Sequence, residues 1–170
     1  SGVVLEPAFG GRGLPFRHAA SLFEEIAVAS AAVGVSLITI FQAQTMLRLF
    51  GSDSVKQRYL PAIADGLLCS YALTEANHGS DIRKLDTKAR RDGEEWIIKG
   101  EKHFITSASA AEFFIILAET DKGVSVFAVP RDATGVSVYE GPNSATFGLR
   151  NGPHMNVIFD DVRLPADHLI

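Results

Sequence analysis

The sequence predicts an α+β protein in which a helical segment is followed by an antiparallel, barrel-like β domain. Two observations support this prediction. Apolar residues recur at helical spacing between residues 16 and 66. From residue 67 onward, short β-branched and aromatic runs alternate with turn dipeptides, as is typical of antiparallel strands. We therefore expect a helical domain over residues 1–66 and a β domain over residues 67–170.

Three helices are expected in the first domain. The first follows Pro15, and a more evenly apolar helix extends from about Val35 to Phe50, as in the centre of a helical bundle. The segment 51–54, Gly-Ser-Asp-Ser, ends that helix and offers an N-cap for a third helix that reaches Gly66. The apolar stripe of the first helix is formed by Leu22, Phe23, Ile26, Ser30 and Val33.

The β domain is expected to contain short strands joined by tight turns. Asp92-Gly93 marks a hairpin, and Lys122-Gly123 marks another turn. A hydroxyl-tipped strand is expected over residues 102–107. The other predicted strands are Cys69 to Leu73, Thr87 to Arg91, Trp96 to Ile98, Phe113 to Ala118, Val124 to Val129, Val136 to Tyr139 and Asn156 to Phe159.

Composition excludes several classes of protein. The net charge of -4 and the pI near 5.7 argue against general nucleic-acid binding, which leaves a basic footprint. The single cysteine, Cys69, cannot form an internal disulfide and supplies no metal-ligand pair, which favours a reducing compartment. The longest apolar tract, Val33 to Phe41, is far shorter than the roughly 18 residues of a membrane span. We therefore expect no membrane span.

The most informative segment extends from Thr74 to Asp81, where an apolar strand changes abruptly to hydroxyl, glycine and carboxylate residues. Backbone N–H groups and the Ser80 hydroxyl would face one side there, and Gly79 would let a phosphate approach closely. The segment also fits an ordinary loop in which Ser80 or Asp81 caps the next turn. The residues alone leave both interpretations open.

Other site motifs are absent from the sequence. Gly11-Arg12-Gly13 lacks the third glycine and the preceding strand of a dinucleotide fingerprint. The chain contains no Gly-x-Ser-x-Gly elbow. None of the histidines, at positions 18, 78, 103, 154 and 168, forms a pair at metal-ligand spacing, so no metal site is expected.

Taken together, several segments resemble the acyl-CoA dehydrogenase family, in the family's order along the whole chain. The segment 104–107, Phe-Ile-Thr-Ser, resembles the family's Trp-Ile-Thr-Asn and follows the usual Gly-Glu-Lys of residues 100–102. Phe159-Asp-Asp-Val is also typical of the family. The residues that match the family's first flavin-binding segment are Tyr71, Leu73, Thr74, Glu75, Gly79, Ser80 and Asp81.

The resemblance implies a site for FAD. Thr74 would donate toward the N1/O2 edge of the flavin, and Thr106 would hydrogen-bond to N5. Ser80 would meet the pyrophosphate or the neighbouring thioester substrate. The other residues that the resemblance places at the cofactor are Tyr71, Leu73, Gly79, Phe104 and Ile105.

The resemblance also implies a reaction, namely α,β-dehydrogenation of an acyl-CoA thioester to the trans-2-enoyl-CoA. Electron-transfer flavoprotein would accept the electrons, and the full-length protein would be a homodimer or homotetramer. The implied location is the bacterial cytoplasm, or the mitochondrial matrix in a eukaryote.

The family's base lies in a C-terminal helical domain, which would begin after residue 170. We therefore expect the chain to be a piece of a longer protein, and we assign no catalytic residue within it. Glu75 is expected to be structural rather than the base. An acyl-CoA oxidase or flavin monooxygenase of the same fold, and a non-catalytic flavin- or acyl-CoA-binding module, stay open as alternatives.

Several residues depart from the family pattern. Ala76 replaces the usual proline after Thr-Glu, His78 replaces an alanine, and Phe104 replaces the common tryptophan. We expect the imidazole of His78 to lie near the phosphate or ribitol side of the flavin; a solvent-facing loop histidine stays open as the alternative. The acyl group cannot be assigned from these residues.

Overall fold

The computed structural model describes residues 2–142, 149, 151–152 and 154–170. The α-helices in this part of the chain are α1 (Phe16–Ala29), α2 (Ala31–Phe50) and α3 (Asp53–Ala64). Short 3-10 helices lie at Pro7–Phe9 and Ala166–His168. The strands are β1 (Cys69–Ala72), β2 (Lys88–Asp92), β3 (Glu95–Thr106), β4 (Phe113–Thr120), β5 (Gly123–Pro130), β6 (Val136–Tyr139) and β7 (His154–Pro165). The predicted α+β class is confirmed.

Serine side chains cap two of the helices. The Val55 backbone N–H donates to Ser52 Oγ at 3.3 Å, so the N-cap lies inside the segment where the sequence predicts it. Ser30 accepts from the backbone N–H of Val33 at 3.4 Å. Ser30 therefore separates α1 from α2, whereas the sequence analysis placed it within the stripe of the first helix.

The sheet is mixed, so the prediction of an antiparallel β domain is wrong in this respect. The hydrogen-bonded order is β1-β4-β2-β3-β7-β6, and β5 pairs with β4. Both β1 and β2 run parallel to β4, whereas the remaining pairs are antiparallel. A parallel pair needs a long crossover, and the chain between β1 and β4 provides one. Tight-turn dipeptides indicate hairpins only, so the sequence contains no local signal for this crossover.

The ends of β1 and β3 lie close together because the sheet curls. The His103 backbone N–H donates to the Thr74 carbonyl at 2.8 Å, just beyond the end of β1. Ser70 Oγ donates to the Thr106 carbonyl, also at 2.8 Å. These two hydrogen bonds bring together the two segments that the sequence analysis singled out.

Strands β3 and β7 are longer than predicted. The segments predicted as separate strands at Trp96 to Ile98 and at residues 102–107 form one strand, β3, with register shifts against β7 between Ile98 and Gly100 and between Lys102 and Ile105. Such irregularities allow a strand to bend and continue past residues that would otherwise interrupt its pairing.

Two groups of buried side chains form the core. One lies within the curled sheet and includes Phe114, Phe127 and Phe159. The other lies between the sheet and the helices and includes Leu47 and Leu60. Cys69 belongs to the second group, and burial raises the pKa of its thiol to about 12. The thiol is therefore protonated and unreactive near neutral pH.

Helix α2 joins the helical segment to the sheet. It contacts α1, α3 and β1, with Ala43 and Leu47 fully buried. Val33 and Ile38 are 50% and 44% exposed. The described residues therefore leave part of α2 uncovered, whereas the sequence predicts a helix surrounded on all sides at the centre of a bundle. Among those residues, α2 meets the length and composition criteria for a membrane span, with a mean hydropathy of 1.3. Core helices of folded proteins meet the same criteria, and the absence of a span stays a prediction.

Candidate functional site

The hydroxyl group of Thr74, just beyond the end of β1, has no hydrogen-bond partner among the described residues. Leu73 and Thr74 are half-buried just beyond the strand. The Thr74 carbonyl accepts from His103, which fixes the backbone, whereas no described residue hydrogen-bonds to the Thr74 hydroxyl. This hydroxyl is therefore available to a ligand.

A bulge in β3 places Phe104 on the surface. The pairing with β7 shifts between Lys102 and Ile105, and Phe104 has a φ of 56°, in the left-handed region. That conformation is unfavourable by about 1–2 kcal/mol for a residue with a Cβ atom. Phe104 is 45% exposed, so a planar apolar face lies open beside the end of β1.

Two substitutions of Phe104 distinguish the backbone strain at this bulge from the role of the aromatic ring. Both F104G and F104A remove the ring, but only glycine adopts a positive φ without strain. We expect F104G to be more stable than F104A by about 1–2 kcal/mol in urea unfolding, and both variants to bind FAD more weakly than the unsubstituted protein. Equal stability of the two variants would show that residue 104 is not held in the left-handed conformation.

Thr106 ends β3 and pairs with a histidine that the sequence analysis did not assign to the site. Thr106 lies opposite His154 in the β3–β7 register, and its Oγ1 is 2.9 Å from His154 Nδ1. Burial lowers the pKa of His154. The neighbouring Ile105 side chain is only 2% exposed and packs in the sheet core, so Ile105 would reach a ligand through its backbone.

The turn after β1 has unpaired donors. Gly79 and Ser80 are exposed, and no described residue accepts a hydrogen bond from their backbone N–H groups or from the Ser80 hydroxyl. A Cβ atom at Gly79 would have nothing within 4 Å, so space is open beside the backbone. Asp81 instead serves the turn itself: its carboxylate binds Arg83 at 2.6 Å, which lowers the carboxyl pKa to about 2.

A buried ion pair between Lys102 and Glu75 holds the backbone that leads into this turn. Lys102 Nζ lies 2.7 Å from Glu75 Oε1, and both side chains are at most 1% exposed. Lys102 also donates to the Leu73 carbonyl at 3.2 Å. Glu75 accepts from the Thr87 backbone N–H at 2.9 Å, so the pair links β1, β3 and the start of β2. Glu75 therefore connects separate backbone segments, and its assignment as a structural residue stays a prediction.

The Glu75 carboxyl group is expected to make stability depend on pH. Burial raises its pKa, but hydrogen bonds from Lys102, Thr87 and Asp86 outweigh burial and hold the pKa below its usual value. A lowered pKa in the folded state gives stability above the unfolded-state pKa of about 4.3, and this stability is lost as the pH falls through the folded-state pKa.

We therefore expect the difference in unfolding free energy between the unsubstituted protein and E75Q to shrink as the pH is lowered below about 4.3. Urea unfolding over a pH series measures it. Glu94, whose side chain is 98% exposed, provides the control E94Q. If the difference in unfolding free energy between E75Q and the unsubstituted protein did not change with pH, the lowered pKa assigned to Glu75 would be contradicted.

Oxygen and nitrogen ligand atoms of Glu75, His78 and Asp86 lie within 4.8 Å of one another. This grouping does not suit a metal ion, because the Lys102 ammonium group already supplies a positive charge at Glu75. His78 Nε2 lies 3.3 Å from Asp86 Oδ1, so its half-buried ring packs along the turn. Its predicted position near a flavin phosphate or ribitol stays a prediction.

Tyr71 lines a groove between β1 and α2. The groove has a volume of about 240 Å³, and its other lining residues are Phe41, Gln42, Thr45 and Met46. Burial raises the pKa of the Tyr71 phenol, which therefore stays neutral near pH 7. The groove is mainly apolar, in contrast to the turn at residues 79–80.

These features fit an FAD group. A planar apolar face at Phe104, hydroxyl groups at Thr74 and Thr106, and free backbone N–H groups at residues 79–80 match a flavin ring and a pyrophosphate. Of the sequence-predicted site residues, Leu73, Thr74, Phe104 and Thr106 lie at the adjoining ends of β1 and β3. Gly79 and Ser80 lie in the turn after β1, Ile105 turns inward, and Tyr71 faces the groove along α2.

Comparisons with known proteins agree with this class of fold. The family model for the acyl-CoA dehydrogenase middle domain matches residues 70–162, and that for the N-terminal domain matches residues 1–67. The chain belongs to the acyl-CoA dehydrogenase family.

Individual relatives share both sequence and structure with this chain. It is 36% identical to acyl-CoA dehydrogenase FadE12 of Mycobacterium tuberculosis, covering 99% of this chain and 45% of the relative. It is 32% identical to cyclohex-1-ene-1-carbonyl-CoA dehydrogenase of Syntrophus aciditrophicus, covering 95% and 40% respectively. The structure of a glutaryl-CoA dehydrogenase from Mycobacterium smegmatis in complex with FADH2 superimposes with a TM-score of 0.91 at 28% identity, covering 99% of this chain and 43% of that one. The chain thus spans less than half the length of these relatives.

Proposed function

We propose that the full-length protein is an FAD-dependent dehydrogenase that converts an acyl-CoA thioester to the trans-2-enoyl-CoA. The observation that carries this proposal is the meeting of the β1 and β3 ends. Hydrogen bonds from His103 to the Thr74 carbonyl and from Ser70 to the Thr106 carbonyl join the two segments, which carry two threonine hydroxyl groups and the exposed Phe104 ring. Thr74, Phe104 and Thr106 would hold the flavin ring of FAD there, and FAD would supply a hydride acceptor for the oxidation of the substrate.

The strand ends would act by fixed hydrogen bonding. The Thr74 hydroxyl is free to donate toward the N1/O2 edge, where negative charge increases on reduction. Phe104 would pack against the ring, while the backbone N–H groups of Gly79 and Ser80 would donate to the pyrophosphate. Because Lys102 and Glu75 hold the intervening backbone, these donors would need little reorganisation when charge develops.

The α-proton of the substrate must pass to a base as the hydride leaves. We do not assign this role to Glu75, because its carboxylate is buried and hydrogen-bonded to Lys102 and to backbone N–H groups. Those interactions lower its pKa and make it a weak proton acceptor. The proposed base is a carboxylate of the family's C-terminal helical domain, as the resemblance implies.

The apolar groove between α2 and β1 is the proposed site for the acyl group. Phe41, Met46 and Tyr71 offer apolar surface, and the groove adjoins the strand whose end carries Thr74. Ser80 is proposed to contact the thioester-bearing part of the substrate, because its hydroxyl is unpaired among the described residues.

We further propose electron-transfer flavoprotein as the electron acceptor, a homodimer or homotetramer as the assembly, and the bacterial cytoplasm, or the mitochondrial matrix in a eukaryote, as the location. Each of these rests on the family resemblance. No feature of the described residues favours the oxidase, the monooxygenase or the non-catalytic binding module over the dehydrogenase.

The proposal is tested by adding acyl-CoA thioesters of different chain length and branching, without oxygen, to the FAD-loaded full-length protein. We expect at least one thioester to bleach the flavin absorbance and to yield a product lighter by two hydrogens in mass spectrometry. In a second measurement in air, rapid oxygen consumption with the same thioester would indicate an oxidase. Flavin that binds but is reduced by no thioester would contradict the proposed function.

A further inference from the structure

His154 lies beside Thr106, although no sequence motif indicated that His154 belongs to this site. It begins β7 directly opposite Thr106, and the 2.9 Å between its Nδ1 and Thr106 Oγ1 is hydrogen-bonding distance. We propose that His154 is a positioning residue that sets the direction of the Thr106 hydroxyl and thereby the relative affinity of the site for oxidised and reduced flavin. This inference rests on the proposed function.

The hydrogen bond that Thr106 would make with flavin N5 changes direction when the flavin is reduced. In oxidised flavin N5 has no hydrogen and accepts, whereas in reduced flavin N5 carries the hydrogen delivered as hydride and donates. A hydroxyl group can serve both states because it has one hydrogen and two lone pairs. To do so, the Thr106 hydroxyl must reverse its direction, and it then needs a second partner that also accepts both directions.

A neutral imidazole is such a partner. Its Nδ1 is a donor in one tautomer and an acceptor in the other. With oxidised flavin, Thr106 would donate to N5 and accept from the Nδ1–H of His154. With reduced flavin, Thr106 would accept from N5–H and donate to Nδ1. For this the neutral ring changes tautomer: it releases its Nδ1 proton and takes one at Nε2, by exchange with water at the half-buried ring. The lowered pKa of His154, caused by burial, keeps the ring in the neutral form that has both options.

The described residues provide no substitute for His154. Among the described residues, His154 Nδ1 is the hydrogen-bond partner of Thr106 Oγ1. The neighbouring Ser70 hydroxyl donates to the Thr106 carbonyl and not to its hydroxyl group. Without the imidazole, the Thr106 hydroxyl would lack an acceptor when N5 donates to it. An unpaired buried donor is the more unfavourable case, so the reduced state should be weakened more than the oxidised state.

Two substitutions at position 154 test this inference in the FAD-loaded full-length protein. H154L removes the partner, whereas H154N keeps an amide at the place of Nδ1 that can donate or accept. The flavin midpoint potential and the dissociation constant of oxidised FAD are measured for each. We expect H154L to reduce the preference for reduced flavin about tenfold, a fall of about 30 mV for a two-electron couple, and H154N to recover most of the difference.

Matched controls separate this role from a purely structural one. H18L removes an exposed histidine on α1 and should leave the potential unchanged. In a T106V background, H154L should cause no further shift, because the hydroxyl through which His154 acts is gone. Should H154L fail to fold, H154A provides the same comparison.

Two results would overturn the inference while leaving the proposed function intact. One is normal FAD binding with an unchanged potential in H154L, and the other is a shift that persists in the T106V background. Failure of the unsubstituted protein to bind FAD would instead overturn the proposed function and this inference together.

Discussion

Replacing Lys102 with methionine is expected to lower the free energy of unfolding by about 3–5 kcal/mol, because it leaves a buried carboxylate without its partner. Lys102 and Glu75 are 2.7 Å apart and at most 1% exposed, so water cannot replace the lost ammonium group. The measurement is urea unfolding at pH 7. FAD binding should weaken as well, because the pair holds the backbone between Leu73 and the β3 bulge.

Lys99 provides a matched control on the same strand. Its side chain is 64% exposed and lies 3.3 Å from Asp160 and from Asp161. Exposed pairs of this kind contribute about 0–1 kcal/mol, so K99M should change stability little. A loss in K102M no larger than that in K99M would show that the buried pair does not stabilise the site.

Replacing Thr74 with valine is expected to slow flavin reduction by acyl-CoA about 10²- to 10³-fold, which corresponds to about 2.7–4 kcal/mol for a lost preorganised donor. The Thr74 hydroxyl has no partner among the described residues, so valine should preserve the fold while removing the proposed contact at N1/O2. Stopped-flow measurement of flavin bleaching at saturating acyl-CoA gives the rate directly.

Two variants control this measurement. T74S retains a hydroxyl group and should keep most of the rate. T120V removes a strand-end hydroxyl that bonds within the β4–β5 hairpin, and it should leave the rate unchanged. Reduction of T74V at the rate of the unsubstituted protein would remove Thr74 from the flavin site.

Much of this organisation can be predicted from local sequence. Helical periodicity and the Ser52 cap predict α3, and Asp92-Gly93 predicts the hairpin between β2 and β3. The change from apolar to hydroxyl residues at Thr74 marks the strand end that the structure places beside β3. These features depend on neighbours in sequence, so the chain itself carries the signal.

The remaining features depend on contacts between distant residues. Lys102 is 27 positions from Glu75, and His154 is 48 positions from Thr106, so both pairs depend on how the curled sheet brings its strands together. The burial of Lys102 could have been predicted from strand alternation. Lys102 is four residues after the inward-facing Ile98 on β3, and residues an even number of positions apart face the same side of a strand. The left-handed conformation of Phe104 had no such signal, since phenylalanine rarely adopts it.

The most direct test of the central claim is an experimental structure of the full-length protein with FAD bound. We expect the flavin ring to lie between the ends of β1 and β3, against Phe104, with the Thr74 and Thr106 hydroxyl groups within hydrogen-bonding distance of its N1/O2 edge and of N5. A flavin ring bound elsewhere, or one whose N5 is out of reach of the Thr106 hydroxyl, would contradict the account.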